Sequence, residues 1–216
     1  MSVRVAGLNV GYGSRTILDG VDFDAADGEF VGITGPSGCG KTTLLNAVAG
    51  LLPPSAGSVR AEGSLAYVFQ RPTLLPWRDA LGNVAFGLEC RGTPAAQARE
   101  SARALLADVG LEDFASHWPR ELSEGMKQRV SLARAMLVKP RLVLLDEPFS
   151  SLDTKARRSL QDLLLRFWKR ERFTVLFVSH WAEELAYLAQ RVVILSERPA
   201  RVERVAAAKD LPSALS

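Results

Sequence analysis

Residues 35–42, GPSGCGKT, have the composition and spacing of a phosphate-binding loop. They satisfy G-x-x-x-x-G-K-[ST] and lie between a predicted strand and a predicted helix, the context that this motif requires. The glycines allow tight turning, so that successive N–H groups converge on phosphate oxygens. Lys41 can reach the β- and γ-phosphates, Thr42 offers a hydroxyl to Mg²⁺, and the helix from Thr43 points its positive end at the same anion. The predicted nucleotide-binding residues here are Gly35, Pro36, Ser37, Gly38, Cys39, Gly40, Lys41, Thr42 and Thr43.

Two carboxylates and a histidine follow apolar runs that predict strands. Asp146 and Glu147 end the run LVLLDE, and His180 follows TVLFVS. Because ligands of parallel sheets bind at the carboxyl ends of the strands, these side chains are candidates for one site. Asp146 suits Mg²⁺, directly or through water, and Glu147 suits the orientation or deprotonation of an attacking water. Acidic residues also end strands without a chemical role, and a lone histidine is commonly structural, so these readings remain open.

The stretch ELSEGMKQRV, residues 121–130, predicts a second anion site at a helix start. Ser123 can cap the helix by accepting a backbone N–H, and the positive end of the helix dipole favours a nearby anion. The alternative is an ordinary capped helix at the protein surface.

Composition describes a folded protein without a nucleic-acid signature. The 216 residues are 47% hydrophobic, enough for one large domain or a core with a subdomain. Lys and Arg number 27 against 24 Asp and Glu, a surplus too small to argue for nucleic acid. Cys39 and Cys90 provide no disulfide framework, which suits a reducing compartment, and Cys39 is assigned no chemistry beyond filling the loop. No segment resembles a signal peptide or a membrane span, so membrane association requires a partner.

Alternating strands and helices predict an α/β fold with a mostly parallel sheet and an α-helical subdomain. The family resemblance described below implies a P-loop NTPase core with an N-terminal antiparallel β part. We expect one domain over residues 1–216, with the core at 1–70 and 141–216 and the helical subdomain at about 71–140. The predicted strands are 3–10, 21–25, 29–34, 64–69, 142–146, 174–179 and 191–196. The predicted helices are 44–51, 94–109, 126–138, 159–170 and one before the last strand.

With these motifs in order, the chain resembles the nucleotide-binding subunit of an ABC transporter over almost its entire length. The elements that carry the resemblance are Tyr12 at the A-loop, residues 35–42 at Walker A, Gln70 at the Q-loop, LSEGM at the signature LSGGQ, LVLLDE at Walker B, SLD at the D-loop, and His180 at the switch histidine.

The resemblance implies an ATPase that uses ATP with Mg²⁺. Tyr12 is then expected to stack on adenine, Glu147 to polarise the attacking water, and His180 to steady the γ-phosphate and that water. Gln70 is expected to join catalysis and report the nucleotide state to a membrane partner. The implied metal ligands are Thr42, Gln70 and Asp146.

The resemblance also implies a dimer, with an identical chain or a paired ATPase subunit, in which each chain supplies half of two sites. Ser123 and Gly125 should then grip the γ-phosphate of ATP bound to the other subunit. Glu124 departs from the pattern, because it replaces the first signature glycine. A carboxylate there should repel the triphosphate by about 1 kcal/mol or more, but in a first helical turn it also favours the dipole by roughly 0.3–1 kcal/mol. We expect activity, with a weakened or altered closed dimer.

Residues 74–89, LLPWRDALGNVAFGLE, together with SERPARV and GMKQRVSLARA, are similar to importers of nitrate, sulfonates and taurine. This favours uptake of a small anion or organic solute through an integral membrane permease, with a substrate-binding protein acting indirectly. The surface between Gln70 and Trp77 should receive the permease, although Trp77 tucked onto the subdomain is an alternative. The expected location is cytoplasmic, peripheral on the inner face of the membrane. No regulatory C-terminal domain is expected.

Two other classes share some of these motifs. A soluble ABC ATPase acting on DNA or ribosomes would share every nucleotide motif, but such proteins usually carry coiled-coil insertions or tandem domains. A small-molecule P-loop kinase would explain the loop without explaining LSEGM, SLD or His180.

Overall fold

The computed structural model describes residues 2–211, which form nine strands and six α-helices within that range. The strands are β1 (Val3–Tyr12), β2 (Arg15–Ala25), β3 (Phe30–Thr34), β4 (Ala56–Ala61), β5 (Leu65–Val68), β6 (Leu142–Asp146), β7 (Thr174–Val178), β8 (Arg191–Leu195) and β9 (Val202–Ala207). The helices are α1 (Lys41–Val48), α2 (Ala80–Glu89), α3 (Ala95–Asp108), α4 (Glu124–Leu137), α5 (Thr154–Glu171) and α6 (Ala182–Leu188).

Two sheets form the β part of the fold. A three-stranded sheet has the order β2-β1-β4, and β1 pairs antiparallel with both neighbours. A six-stranded sheet has the order β5-β6-β7-β3-β8-β9, in which β3, β6, β7 and β8 are parallel and β9 runs antiparallel to β8. The α/β fold with a mostly parallel sheet and an N-terminal antiparallel part is therefore confirmed.

Three of the parallel strands are buried along their whole length, as their nearly continuous apolar runs predict. Every residue of β3, β6 and β7 is buried. Asp146 at the end of β6 is in register with Val178 at the end of β7. The residues that follow these two strands therefore emerge side by side at one edge of the sheet.

The described residues group into two compact units. The first contains the described parts of Met1–Tyr67 and Arg172–Ser216 together with Arg141–Glu147. The second contains Val68–Pro140 and Pro148–Glu171. Residues 148–171, which the sequence analysis assigns to the core, thus group with the helical unit. The reason lies in α5, where Ser159 accepts a hydrogen bond from Arg129 of α4 and Arg170 pairs with Asp108 of α3.

Three elements were not predicted from the sequence: α2, β4 and β9. Helix α2 contains Gly82 and Gly87, which ordinarily weaken a helix. A Cβ on Gly87 would lie 2.7 Å from Val138 Cγ1, so this glycine permits close helix packing. Strands β4 and β9 are largely exposed and lack the apolar run that identifies a central strand. Among residues 2–211, every helix is too short or too polar to cross a membrane.

Candidate functional site

The phosphate loop connects buried β3 to the start of α1. Gly40 precedes the helix at φ 125°, a conformation that side-chain-bearing residues rarely adopt. A Cβ there would lie 2.7 Å from Ile17 Cγ2 and 3.0 Å from Leu18 Cδ2 of β2. Glycine therefore serves both the turn and the close packing of the loop on β2. No side chain caps α1 at Gly40, so the first helical N–H groups suit the binding of an anion.

Lys41 extends over the loop. Its Nζ donates hydrogen bonds to Gly35 O at 2.8 Å and Pro36 O at 2.9 Å, and the residue is only 7% exposed. These contacts hold the ammonium group in place before any ligand binds. Lys41 thus supplies a preorganised positive charge beside the helix end.

Cys39 lies buried in the loop, and burial raises the pKa of its thiol. Nearby Lys41 and Arg198 act in the opposite direction but do not outweigh this effect. The thiol is therefore in its neutral form at neutral pH.

Asp146 lies at the buried end of β6, with 6% of its surface exposed. It accepts side-chain hydrogen bonds from Thr42 and Tyr67. Burial raises its pKa, an effect that the Thr42 hydrogen bond opposes, and Glu147 adds a like-charge contribution that raises the pKa further. Burial also raises the pKa of Tyr67, and the neighbouring Asp146 charge adds to this effect.

Thr42 and Asp146 together provide oxygen atoms that suit a hard divalent cation. Within residues 2–211, no group of three or more His, Cys, Asp or Glu is arranged to hold a metal ion. In phosphate sites, Mg²⁺ usually takes one or two carboxylates and completes its shell with phosphates and water. The hydrogen bond between Thr42 and Asp146 shows that these two predicted metal ligands are in contact.

Glu147 and His180 form the second predicted pair. His180 Nδ1 lies 3.3 Å from Glu147 Oε2, directly after the adjacent ends of β6 and β7. Glu147 has φ 45°, a strained value for a residue with a side chain, and its N–H donates to Val178 O at 3.1 Å. A strained backbone conformation persists only where the surrounding structure imposes it, and residues with such strain cluster at functional sites.

The segment around His180 is fixed by the buried pair Ser179 and Glu184. Ser179 Oγ donates to Glu184 Oε2 at 2.6 Å and accepts from Trp181 N at 3.1 Å. The histidine itself remains exposed while its neighbours are held. It is therefore accessible to a ligand at the sheet edge.

Tyr12 lies at the tip of the β1–β2 hairpin, opposite Arg15, and is 53% exposed. An exposed aromatic ring on a paired hairpin is suited to stacking on a base. A cleft of about 400 Å³ runs along the outer part of the phosphate loop. It is lined by Arg15, Pro36, Ser37, Gly38, Cys39, Glu197 and Arg198. The sequence analysis did not identify Arg15 or Arg198 as residues of this cleft.

In the second unit, α4 begins at Glu124, two residues before the predicted start, and Ser123 caps it as predicted. Ser123 is its N-cap, and the Ser123 side chain accepts from Met126 N at 3.3 Å. Glu124 and Gly125 occupy the first turn, and Glu124 is paired with Lys127 one turn later. Ser123 and Glu124 are exposed, so the capped helix end is open to solvent.

Gln70 also belongs to the second unit. Its side chain donates to Ser150 Oγ at 3.4 Å, while its carbonyl accepts from Gln128 Nε2 at 2.9 Å. Trp77 is 69% exposed, so the alternative of a tucked tryptophan is wrong. The predicted roles of Gln70 as a metal ligand and catalytic residue remain predictions.

The predicted residues thus divide between the units. In the structure, Thr42 hydrogen-bonds to Asp146, and Lys41 lies close enough to interact electrostatically with the same carboxylate. Glu147 lies beside His180. Gln70, Ser123 and Gly125 lie in the second unit. The sequence analysis missed Tyr67 and Asn46, whose side chains are hydrogen-bonded near Asp146. A phenol in the otherwise apolar strand LAYV was the available signal.

A parallel sheet that carries a phosphate loop and a carboxylate-histidine pair at its strand ends defines a P-loop nucleoside triphosphatase. The chain belongs to the ABC transporter family, whose characteristic region, described as "ABC transporter", matches residues 18–150. It is an ATP-binding protein and an ATPase of that family.

The chain is similar to several named relatives. It is 48% identical over 202 residues to the aliphatic sulfonates import ATP-binding protein SsuB of Mycobacterium sp. (strain MCS), covering 94% of this chain and 82% of that protein. It is 43% identical over 208 residues to the taurine import ATP-binding protein TauB of Yersinia pestis bv. Antiqua, covering 93% and 82%. It also superposes with a TM-score of 0.85 and 29% identity on a dimeric post-hydrolysis state of the ATP-binding cassette MJ0796 bound to ADP and Pi, covering 95% of this chain and 98% of that chain.

Proposed function

We propose that this chain dimerises around two Mg-ATP, with a second copy or a paired ATPase subunit, and drives an integral membrane permease. The observation that supports this most strongly is that the chain carries two helix N-termini that are each suited to binding an anion. One, at α1, has its own lysine and catalytic pair. The other, at Ser123, has a capped first turn and an exposed end. We assign the second to the nucleotide of the partner subunit.

Gly125 supports this assignment. Glycine in a helix is less favourable than alanine by about 1 kcal/mol. A Cβ on Gly125 would meet Ala156 Cβ at 3.6 Å and Leu152 Cδ2 at 3.9 Å, which are ordinary contacts. Packing within the second unit therefore gives no reason for glycine. Close approach of a phosphate at the helix start provides one.

For hydrolysis, Lys41 and the α1 N–H groups hold the β- and γ-phosphates. Thr42 and Asp146, with Gln70 as a further ligand, would hold Mg²⁺, which would supply positive charge beside the phosphates. Glu147 polarises the attacking water, and His180 steadies that water and the γ-phosphate. Because His180 contacts Glu147 directly, it also orients the carboxylate. Tyr12 stacks on the adenine.

The permease docks at the loop that carries Trp77. Buried Asn83 accepts from Leu75 N at 2.7 Å and donates to Leu75 O, Arg78 O and Asp79 O at 2.9–3.1 Å. The loop is therefore held rigidly while it exposes a large aromatic side chain. Exposed aromatics on fixed loops favour a protein interface. Gln70 lies in the same unit and transmits the nucleotide state to this surface.

The transported solute is a small organic sulfonate such as taurine, or a related anion, and the direction is uptake. This follows the names of the sulfonate and taurine relatives. A substrate-binding protein delivers the solute to the permease and does not contact this chain. The chain acts at the cytoplasmic face of the membrane as a peripheral subunit.

Affinity purification of the chain from its native membranes tests this proposal. We expect a membrane permease subunit to co-purify, and ATP hydrolysis by the reconstituted complex to rise when the binding protein is loaded with taurine or an alkanesulfonate. Bound nucleic acid or ribosomes, without a permease, would instead support the soluble ABC ATPase. Phosphate transfer to an added small-molecule acceptor would support a kinase.

A further inference from the structure

We propose that Tyr67 is a positioning residue that orients Asp146, the carboxylate assigned to Mg²⁺. This inference rests on the proposed function and extends it to a residue outside the family motifs described above.

The contacts of Tyr67 join β5 to α1 and to the end of β6. Its hydroxyl lies 3.2 Å from Asn46 Oδ1 and also donates a hydrogen bond to Asp146. Strands β5 and β6 are neighbours in the sheet, so the phenol reaches across one strand spacing. One hydroxyl proton thus has two acceptors, of which an ionised carboxylate is the stronger.

Two hydroxyl groups therefore hold the same carboxylate. Thr42 belongs to the phosphate loop and is itself a predicted metal ligand, so its hydroxyl serves both the carboxylate and the cation. Tyr67 is not a predicted metal ligand. Asn46 follows Thr42 by four residues on α1 and lies on the same helix face. It holds the Tyr67 hydroxyl near the carboxylate from the helix side.

Packing alone does not account for a tyrosine here. The other residues of β5 are Leu65, Ala66 and Val68, and a half-buried phenol among them is unfavourable unless its hydroxyl is hydrogen-bonded. Phenylalanine would fill the same volume without that requirement. Mutation of a residue that hydrogen-bonds to a metal ligand typically lowers the metal affinity by 10- to 100-fold.

The test is the variant Tyr67→Phe, which removes one oxygen atom. The affinity for ATPγS is measured by calorimetry in EDTA and across a Mg²⁺ titration. We expect the affinity for ATPγS in EDTA to be unchanged. The Mg²⁺ concentration that gives half of the maximal increase in this affinity should be roughly tenfold higher than in the wild type. Asn46→Ala should shift the Mg²⁺ dependence in the same direction. Direct binding of Mn²⁺ to the ATPγS complex, followed by electron paramagnetic resonance, gives a readout independent of hydrolysis.

Tyr187→Phe is the matched control, because it removes a phenol oxygen from another half-buried tyrosine of the first unit. It should leave the Mg²⁺ dependence at the wild-type value, and thermal unfolding establishes that each variant is folded. An unchanged Mg²⁺ dependence in folded Tyr67→Phe would overturn the role of Tyr67. Absence of any Mg²⁺-dependent ATPγS binding by the wild type would instead overturn the proposed function.

Discussion

Lys127 Nζ lies 2.7 Å from Glu124 Oε1, one turn apart at the start of α4. The carboxylate that replaces the first signature glycine is therefore paired with a cation of the same helix. Lys127 is the less exposed partner, with 26% of its side chain accessible against 52% for Glu124. The pair reduces the repulsion that an isolated carboxylate would exert on a triphosphate.

Removal of this cation should weaken the ATP-dependent dimer. Exposed ion pairs contribute about 0.2–1 kcal/mol, so we expect Lys127→Ala to raise the dimer dissociation constant in ATP by up to about fivefold. Analytical ultracentrifugation of the Glu147→Gln background measures this constant. The double variant Glu124→Gln, Lys127→Ala should return it toward the starting value. Equal constants with and without Lys127 would contradict the compensation.

Gly125→Ala should increase the stability of the fold and lower the ATPase activity. Alanine is the better helix former, so the free energy of unfolding should increase by up to about 1 kcal/mol. The added methyl group should obstruct the partner's phosphate and reduce ATP hydrolysis by at least tenfold. Chemical denaturation and a steady-state phosphate assay measure the two effects. A variant as active as the wild type would show that no ligand approaches this helix start.

Glu147→Gln should retain ATP binding and accumulate a closed dimer. The amide cannot accept the proton from the attacking water, and loss of a general base typically lowers the rate by about 10²- to 10⁴-fold. Size-exclusion chromatography in Mg-ATP follows the dimer. Glu183→Gln, at an exposed position in α6, is the matched control and should be fully active. Unchanged hydrolysis by Glu147→Gln would reject its catalytic role.

Lys41→Ala should abolish ATP binding. The substitution removes the preorganised charge of the loop and leaves Gly35 O and Pro36 O without their shared donor. Calorimetric titration with ATP measures the loss, and thermal unfolding tests whether the fold survives. Lys155→Ala, at an exposed position of α5, should bind ATP normally. Normal affinity in Lys41→Ala would contradict the site.

The sequence predicted the fold where chemistry or burial restricts the choice of residues. The phosphate loop, the Asp146–Glu147 pair and the Ser123 cap each require particular side chains at fixed spacing. The largely apolar runs of β3, β6 and β7 likewise identify buried parallel strands. The 3.3 Å contact between Glu147 and His180 follows from the placement of both residues after neighbouring strands.

Other features depend on contacts between segments distant in the sequence. Gly87 is tolerated in α2 because Val138 packs against it, which periodicity in α2 cannot reveal. Tyr67 acquires its partners only when β5, α1 and β6 come together. The Glu124–Lys127 pair lies at helical spacing, but the sequence analysis considered Glu124 in relation to the nucleotide and the helix dipole and did not identify Lys127 as its partner.

The central claim is that each ATP site is completed by the helix start at Ser123 of a second subunit. The direct test is the specific ATPase activity of the purified chain as a function of its own concentration, with sedimentation measured under the same conditions. We predict that activity per chain rises with concentration and parallels the fraction of dimer. Full specific activity at concentrations where every chain sediments as a monomer would contradict the account.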